Sequence, residues 1–290
     1  MQDEEFWLDR FEEHRPRLRA VAYRMLGSQA EADDALQETW LRISRASGGE
    51  VENVGGWLTT ILSRQCLNML RARSTRREEP LEVHVPDPVV EDGPGGDPAE
   101  QSALADTVGI ALLVVLDSLE PAERLAFVLH DMFGLPFEEI APLVERTPAA
   151  ARQLASRARR RVQGRSLDGR PDPVRQRAVV EAWAAASRAG DFEGLLALLH
   201  PDAELRVDAG AGSALTRFVR GAAEIAGSAV AFRQVGAVDA RITLVNGLPG
   251  IVASVHGRAV SVLAFTVVDG LVTEVDILSD RERLAELGIS

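Results

Sequence analysis

One stretch, residues 78–106, constrains this chain of 290 residues more than any other feature. It contains Pro80, Pro86, Pro88, Pro94 and Pro98 together with Gly93, Gly95 and Gly96, and it has no helical period. Its charge is one-sided: Glu78, Glu79, Glu82, Asp87, Glu91, Asp92, Asp97, Glu100 and Asp106, with no arginine. Proline removes amide donors and like charges extend a chain, so no single core can run through such a segment. The chain is therefore expected to fold as separate modules: 1–77, helical; 78–106, an acidic linker; 107–168, helical; 169–290, mixed. A second break, Gly164 to Pro173, sets off the last of these. The plain reading of the linker is a solvated spacer.

The formal net charge of −12 argues against a protein that coats nucleic acid by bulk charge. Most of that charge belongs to the linker, and the two helical modules each balance their acids with arginines. Every basic residue is arginine, which supplies forked planar donors suited to phosphate and guanine. A single cysteine, Cys66, excludes a disulfide scaffold and a cysteine-based zinc site. No metal or cofactor is expected. The first twenty residues lack an apolar signal core, and no run approaches the ~18 apolar residues of a membrane helix, so a soluble cytoplasmic protein without a membrane partner is expected.

In the first module, residues 6–26, 29–44 and 57–73 have helical periods. The second helix buries Ala32, Leu36, Trp40 and Ile43 and turns Asp34, Gln37, Glu38 and Leu41 outward. A solvated acidic face is the bland alternative for Asp33, Asp34 and Glu38. On the third, Thr60, Arg64, Asn68 and Arg71 share one polar face, continued by Arg73, Arg76 and Arg77. Amide and guanidinium groups are what base and phosphate contacts need, although basic residues at a helix C-terminus are also favoured by the helix dipole.

The second module reads as four helices. Its last pair, FEEIAPLV and PAAARQLASRARRRV, is joined by Glu145, Arg146 and Thr147, with Thr147 as cap and Pro148 at the first position. That is a helix-turn-helix pattern. On the final helix Ala151, Leu154, Ala155, Ala158 and Val162 form the apolar stripe, and Arg152, Gln153, Ser156, Arg157 and Arg160 lie elsewhere.

The C-terminal module shows helical patterns over 173–190 and 191–200. Strand-like runs follow at 203–208, 215–221, 240–247, 250–257, 260–270 and 271–278, with a hairpin signal at Val268-Asp269-Gly270-Leu271. Two helices on a curved antiparallel sheet, an α+β cone, are expected. His200, Asp208, His256 and Asp276 are the obvious acid–base candidates, but structural or surface roles outweigh catalysis. His200 reads as a helix end and His256 as an exposed turn. An apolar pocket without chemistry is more plausible than an active site.

Three segments together resemble a known family. EADDALQETWLRI (31–43) is similar to the region-2 core of extracytoplasmic-function sigma factors of the sigma-70 family, and GGWLTTILSRQCLNMLR (55–71) to the promoter-melting segment that follows. LEPAERLAFVLHDMFGLPFEEIAPLVERTPAAARQLASRARRRV (119–162) resembles region 4. GDFEGLLALLHPDAELRVDAG (190–210) resembles the SnoaL-like domain that one group of these factors carries at the C-terminus.

The resemblance implies the following: Asp34, Gln37, Glu38 and Leu41 meet the β′ clamp of core RNA polymerase, and region 4 meets the β flap. Thr60, Arg64, Asn68, Arg71 and Arg73 serve the −10 element, with loop 45–56 holding a flipped base. Thr147, Arg152, Gln153, Ser156, Arg157 and Arg160 serve the −35 element of promoter DNA. The C-terminal domain acts in cis through intramolecular contact with the sigma modules, and the protein is not an enzyme. Glu145 stands where the family's turn usually has glycine, so a mildly strained positive φ is expected there. Two other readings remain at this level: a SnoaL-like small-molecule enzyme, or a ligand-responsive regulator, fused to a DNA-binding arm.

Overall fold

The computed structural model describes residues 2–45, 53–76, 83–91, 109–164, 172–232 and 238–289. The chain packs as two units, Met1–Glu78 with Val115–Arg165, and Glu79–Val114 with Ser166–Ser290.

The first unit begins with α1 (Gln2–Leu26), α2 (Gln29–Ile43) and α3 (Val54–Arg76). Gly27, at φ 74°, breaks α1 from α2, and the Ser28 hydroxyl caps α2 by accepting from the Glu31 amide. Leu18, Val21, Met25, Leu36, Ile43, Leu58 and Leu62 are fully buried among these helices. Trp7 lies 5.1 Å from Trp57, and Phe11 lies 5.4 Å from Trp40, ring centre to ring centre. The expected start of the third helix moves back three residues, because Asn53 accepts from the Gly56 amide and caps the added turn.

After α4 (Ile110–Asp117), the helix α5 (Pro121–Phe127) continues as a π-helical turn, Val128–Met132. The run FEEIAPLV is helical only as α6 (Phe137–Ile140), followed by turns, and α7 spans Pro148–Gln163. Glu145 takes φ 55°, the left-handed turn expected at that position.

In the second unit, α8 (Pro173–Ala189) and α9 (Phe192–Leu198) precede a six-stranded sheet. Its strands are β1 (Leu199–Asp208), β2 (Arg217–Arg220), β3 (Val238–Val245), β4 (Leu248–Val255), β5 (Arg258–Val268) and β6 (Leu271–Leu278), in the order β2-β1-β6-β5-β4-β3. The hairpins β3–β4, β4–β5 and β5–β6 turn on Asn246-Gly247, His256-Gly257 and Asp269-Gly270, each with two positive φ angles as a tight right-twisting turn demands. One pairing departs from the antiparallel expectation: β1 runs parallel to β6, Leu205 opposite Val275. His200 lies in β1 and not at a helix end, a second correction. Two helices absent from the sequence reading also appear, α10 (Ala222–Phe232) and α11 (Arg281–Glu286).

Residues Val180, Trp183, Leu195, Leu205, Ile225, Ile251, Phe265 and Val275 form the core between α8, α9, α10 and the sheet. Residues 83–91 of the expected linker also belong to this unit, which corrects the solvated-spacer reading for that part. Val85, Val89 and Val90 are buried, Val90 bridges Val245, and the Glu91 amide donates to the Leu244 carbonyl at 3.2 Å. The rest of the linker read from the sequence, 78–82 and 92–106, lies outside the described residues.

Candidate nucleic-acid interface

The two faces predicted on the first helical module are formed. Asp34, Gln37, Glu38 and Leu41 are all exposed on α2, and Leu41 keeps 36% of its surface open. On α3, Arg64, Asn68 and Arg71 are exposed along one face, while Thr60 is half-buried with its hydroxyl donating to the Gly56 carbonyl at 2.9 Å. Most of loop 45–56, at 46–52, lies outside the described residues, as does Arg77.

Arg73 is placed differently from the rest of its set. Its guanidinium donates to the Leu26 carbonyl at 3.1 Å, to Glu31 at 3.2 Å and to Asp117 at 2.8 Å. Asp117 also takes a 2.8 Å bond from Arg124, whose side chain is 1% exposed and reaches the Arg24 carbonyl. Burial pushes the Arg124 pKa down and Asp117 opposes it, so this carboxylate compensates a charge removed from water. The helical modules of this unit thus share one polar knot, and in this arrangement Arg73 is engaged by protein groups.

The second face is α7. Thr147 caps it by accepting from the Ala150 amide at 3.3 Å, and Ala151, Ala155 and Ala158 are fully buried against the rest of the module. Arg152, Gln153, Arg157 and Arg160 are exposed and Ser156 is half-buried. Arg152 stacks over Phe137 at 5.1 Å, and Arg160 donates to the Ser156 carbonyl at 3.4 Å. The sequence reading missed the acids behind this face. Glu123 of α5 accepts from Arg157 Nε at 2.6 Å and lies 3.3 Å from Arg161, and Asp131 accepts from Arg159 Nε at 2.9 Å. Only the helical period of α5 could have hinted at them, since Glu123 falls on its buried side.

The acid–base candidates of the second unit do not converge. Along β1 and β6, Leu205, Val207, Val275 and Ile277 pack toward the helices, so Glu204, Arg206, Asp208, Glu274 and Asp276 take the alternate face. There Asp276 accepts from Arg206 at 3.0 Å, and Asp208 accepts from Arg283 at 2.8 Å. Burial resists ionisation of Asp208. His84, the Val85 amide and Arg283 outweigh it and hold the carboxyl down to about 2. His200 Nδ1 accepts from the Asp202 amide, and His256 occupies an exposed turn at φ 51°. A cleft of about 400 Å³ lies between α8 and α9, lined largely by Ala182, Ala185, Ala186 and Ala189, with no acid–base pair in it.

A helix-turn-helix with an arginine-rich exposed helix, in one unit with a helical module that exposes an acidic face and a polar face, is the architecture of a DNA-binding transcription factor. Residues 10–76 match the family described as Sigma-70 region 2, and residues 110–162 match Sigma-70, region 4. The chain is 34% identical over 282 residues to a probable ECF RNA polymerase sigma factor SigI of Mycobacterium tuberculosis, covering 95% of each chain. It is 39% identical over 277 residues to the ECF RNA polymerase sigma factor SigJ of the same organism, covering 90% of this chain and 88% of the relative. The crystal structure of Mycobacterium tuberculosis SigJ superposes with a TM-score of 0.75 at 34% identity, over 96% of this chain and 98% of that one.

The chain belongs to the extracytoplasmic-function branch of the sigma-70 family. Its partners are core RNA polymerase and promoter DNA, and it is a transcription initiation factor, not an enzyme. Among the described residues, no helix is long and apolar enough to cross a membrane.

Proposed function

We propose that this sigma factor divides its work among four segments, 1–77, 78–106, 107–168 and 169–290, and that the last controls the two sigma modules through the linker. Asp34, Gln37, Glu38 and Leu41 bind the β′ clamp, and region 4 binds the β flap. Thr60, Arg64, Asn68 and Arg71 contact the −10 element, joined by Arg73 once it leaves Asp117. Thr147, Arg152, Gln153, Ser156, Arg157 and Arg160 contact the −35 element. Arginine reads guanine through paired donors and glutamine reads adenine the same way, each good pair contributing ~1–3 kcal/mol of discrimination.

One observation supports control in cis: Arg283 binds Asp87, the Val85 carbonyl and Asp208 together. The chain between the two sigma modules is thereby fastened to the C-terminal module. A fastened linker has less slack to let regions 2 and 4 reach separate promoter elements. The SnoaL-like domain acts here as a holder of chain, without turnover. The test is run-off transcription by core polymerase with the full chain and with the chain ended at residue 168. A changed yield at equal core occupancy supports control in cis, and equal yields over a range of concentrations refute it.

A further inference from the structure

Glu123 is 5% exposed on α5 (Pro121–Phe127), and its ion pairs reach another helix, whereas Arg124 beside it pairs with Asp117. Its two oxygens face α7 instead: Oε1 accepts from Arg157 Nε at 2.6 Å, and Oε2 lies 3.3 Å from Arg161 Nη1. Residues 157 and 161 are one turn apart, so a single buried carboxylate addresses arginines on two successive turns of the helix. Both arginine side chains remain about half exposed, at 48% and 54%. The bond at Nε fixes the plane of the Arg157 guanidinium and leaves Nη1 and Nη2 as its outward fork.

That arrangement does two things. It orders a side chain with four rotatable bonds before DNA arrives, removing an entropy cost from the specific complex. It also cancels one of two adjacent positive charges, which weakens attraction to any phosphate and leaves base contact as the main gain. With Nε occupied, an end-on approach of Nη1 and Nη2 to O6 and N7 of guanine is the bidentate geometry left open.

We propose that Glu123 is a specificity-determining positioning residue: it aims Arg157 at a guanine of the −35 element. The proposal rests on the reading of α7 (Pro148–Gln163) as the −35 helix. Holoenzyme reconstituted from core polymerase and the full chain is used to transcribe a promoter library randomised across −35, and the transcripts are sequenced. Arg157→Ala is expected to erase a guanine preference at one position. Glu123→Gln is expected to reduce the same preference about tenfold while total promoter-dependent RNA persists, and the double variant to go no further than Arg157→Ala. Glu123→Asp, which keeps the charge but withdraws it by one methylene, should lose part of the preference at that position and guards against a folding defect in the glutamine variant. A preference removed by Arg157→Ala but untouched by both Glu123 variants overturns the proposal, as does a loss uniform across all −35 sequences. A guanine preference that survives Arg157→Ala removes Arg157 as the base contact, and the proposal falls with it, while a parent holoenzyme with no preference anywhere across −35 contradicts the assignment of α7.

Discussion

Arg283 Nη2 donates to the carbonyl of Val85 at 2.7 Å across 198 positions of sequence. The same guanidinium binds Asp87 through Nε at 3.0 Å and Asp208 at 2.8 Å, so one side chain near the C-terminus holds a segment that connects the two sigma modules. A second fastening lies further along the segment, where the Val89 amide donates to Asn246 Oδ1 at 2.9 Å and the Asn246 amide donates back to the Val89 carbonyl at 2.8 Å.

Arg283→Ala should therefore release residues 83–87. It leaves the buried Asp87 and Asp208 without that cation, and breaking a buried pair costs about 3 kcal/mol or more. Limited proteolysis of the full chain should then cut within 78–106 at least several-fold faster than in the parent, with the fold of the sheet unit retained by circular dichroism. Unchanged cleavage would show that the arginine does not hold the segment.

Asp208 predicts a pH dependence with a definite sign. Its folded pKa, about 2, lies below the ordinary 3.8, so the charged form is favoured in the folded state. The contribution, about 2 kcal/mol, is present above pH ~4 and is lost as pH falls toward 2. Asp208→Asn should remove it: the stability gap between parent and variant in urea unfolding should be widest near neutrality and narrow below pH ~4. A gap that stays constant down to pH 2 would contradict the ion-pair account.

Asp117 carries bonds from both Arg73 and the buried Arg124. Asp117→Ala should destabilise the helical unit by about 3–5 kcal/mol, because Arg124 would be left as an uncompensated buried charge. Urea unfolding followed at the tryptophans checks this, and a change under 1 kcal/mol would show that the knot contributes little.

Glu145 holds φ 55° in the turn before Thr147. An L-residue there costs roughly 1–2 kcal/mol of local strain, offset in part by the greater unfolded-state freedom of glycine. Glu145→Gly should raise stability by about 0.5–1 kcal/mol without altering promoter preference. A loss of stability would mean that the glutamate side chain makes a contribution larger than its strain.

The parts of this molecule that were legible in the sequence are those whose signals are local. The Thr147 cap, Pro148, the alanine stripe of α7 and the Glu145 turn all lie within a few residues of the structure they specify. The Asp269-Gly270 hairpin is local in the same sense. The parallel β1–β6 pairing joins Leu205 to Val275, and nothing near either residue announces the other. Ala222–Phe232 was missed because its small residues give a faint apolar period. Val85, Val89 and Val90 sit between prolines and acids, and the partners that bury them lie more than a hundred residues away. The exposed arginine-rich face of α7 could be derived from period alone, but Glu123 behind it required the packing of α5 on α7.

Protection of promoter DNA measured with and without core polymerase tests the central claim most directly. The account predicts feeble protection by the protein alone, and with core polymerase a footprint spanning the −35 and −10 elements, accompanied by a run-off transcript that disappears when the −35 element is replaced. Strong protection by the protein alone, with no polymerase-dependent transcript from any bound site, would contradict it.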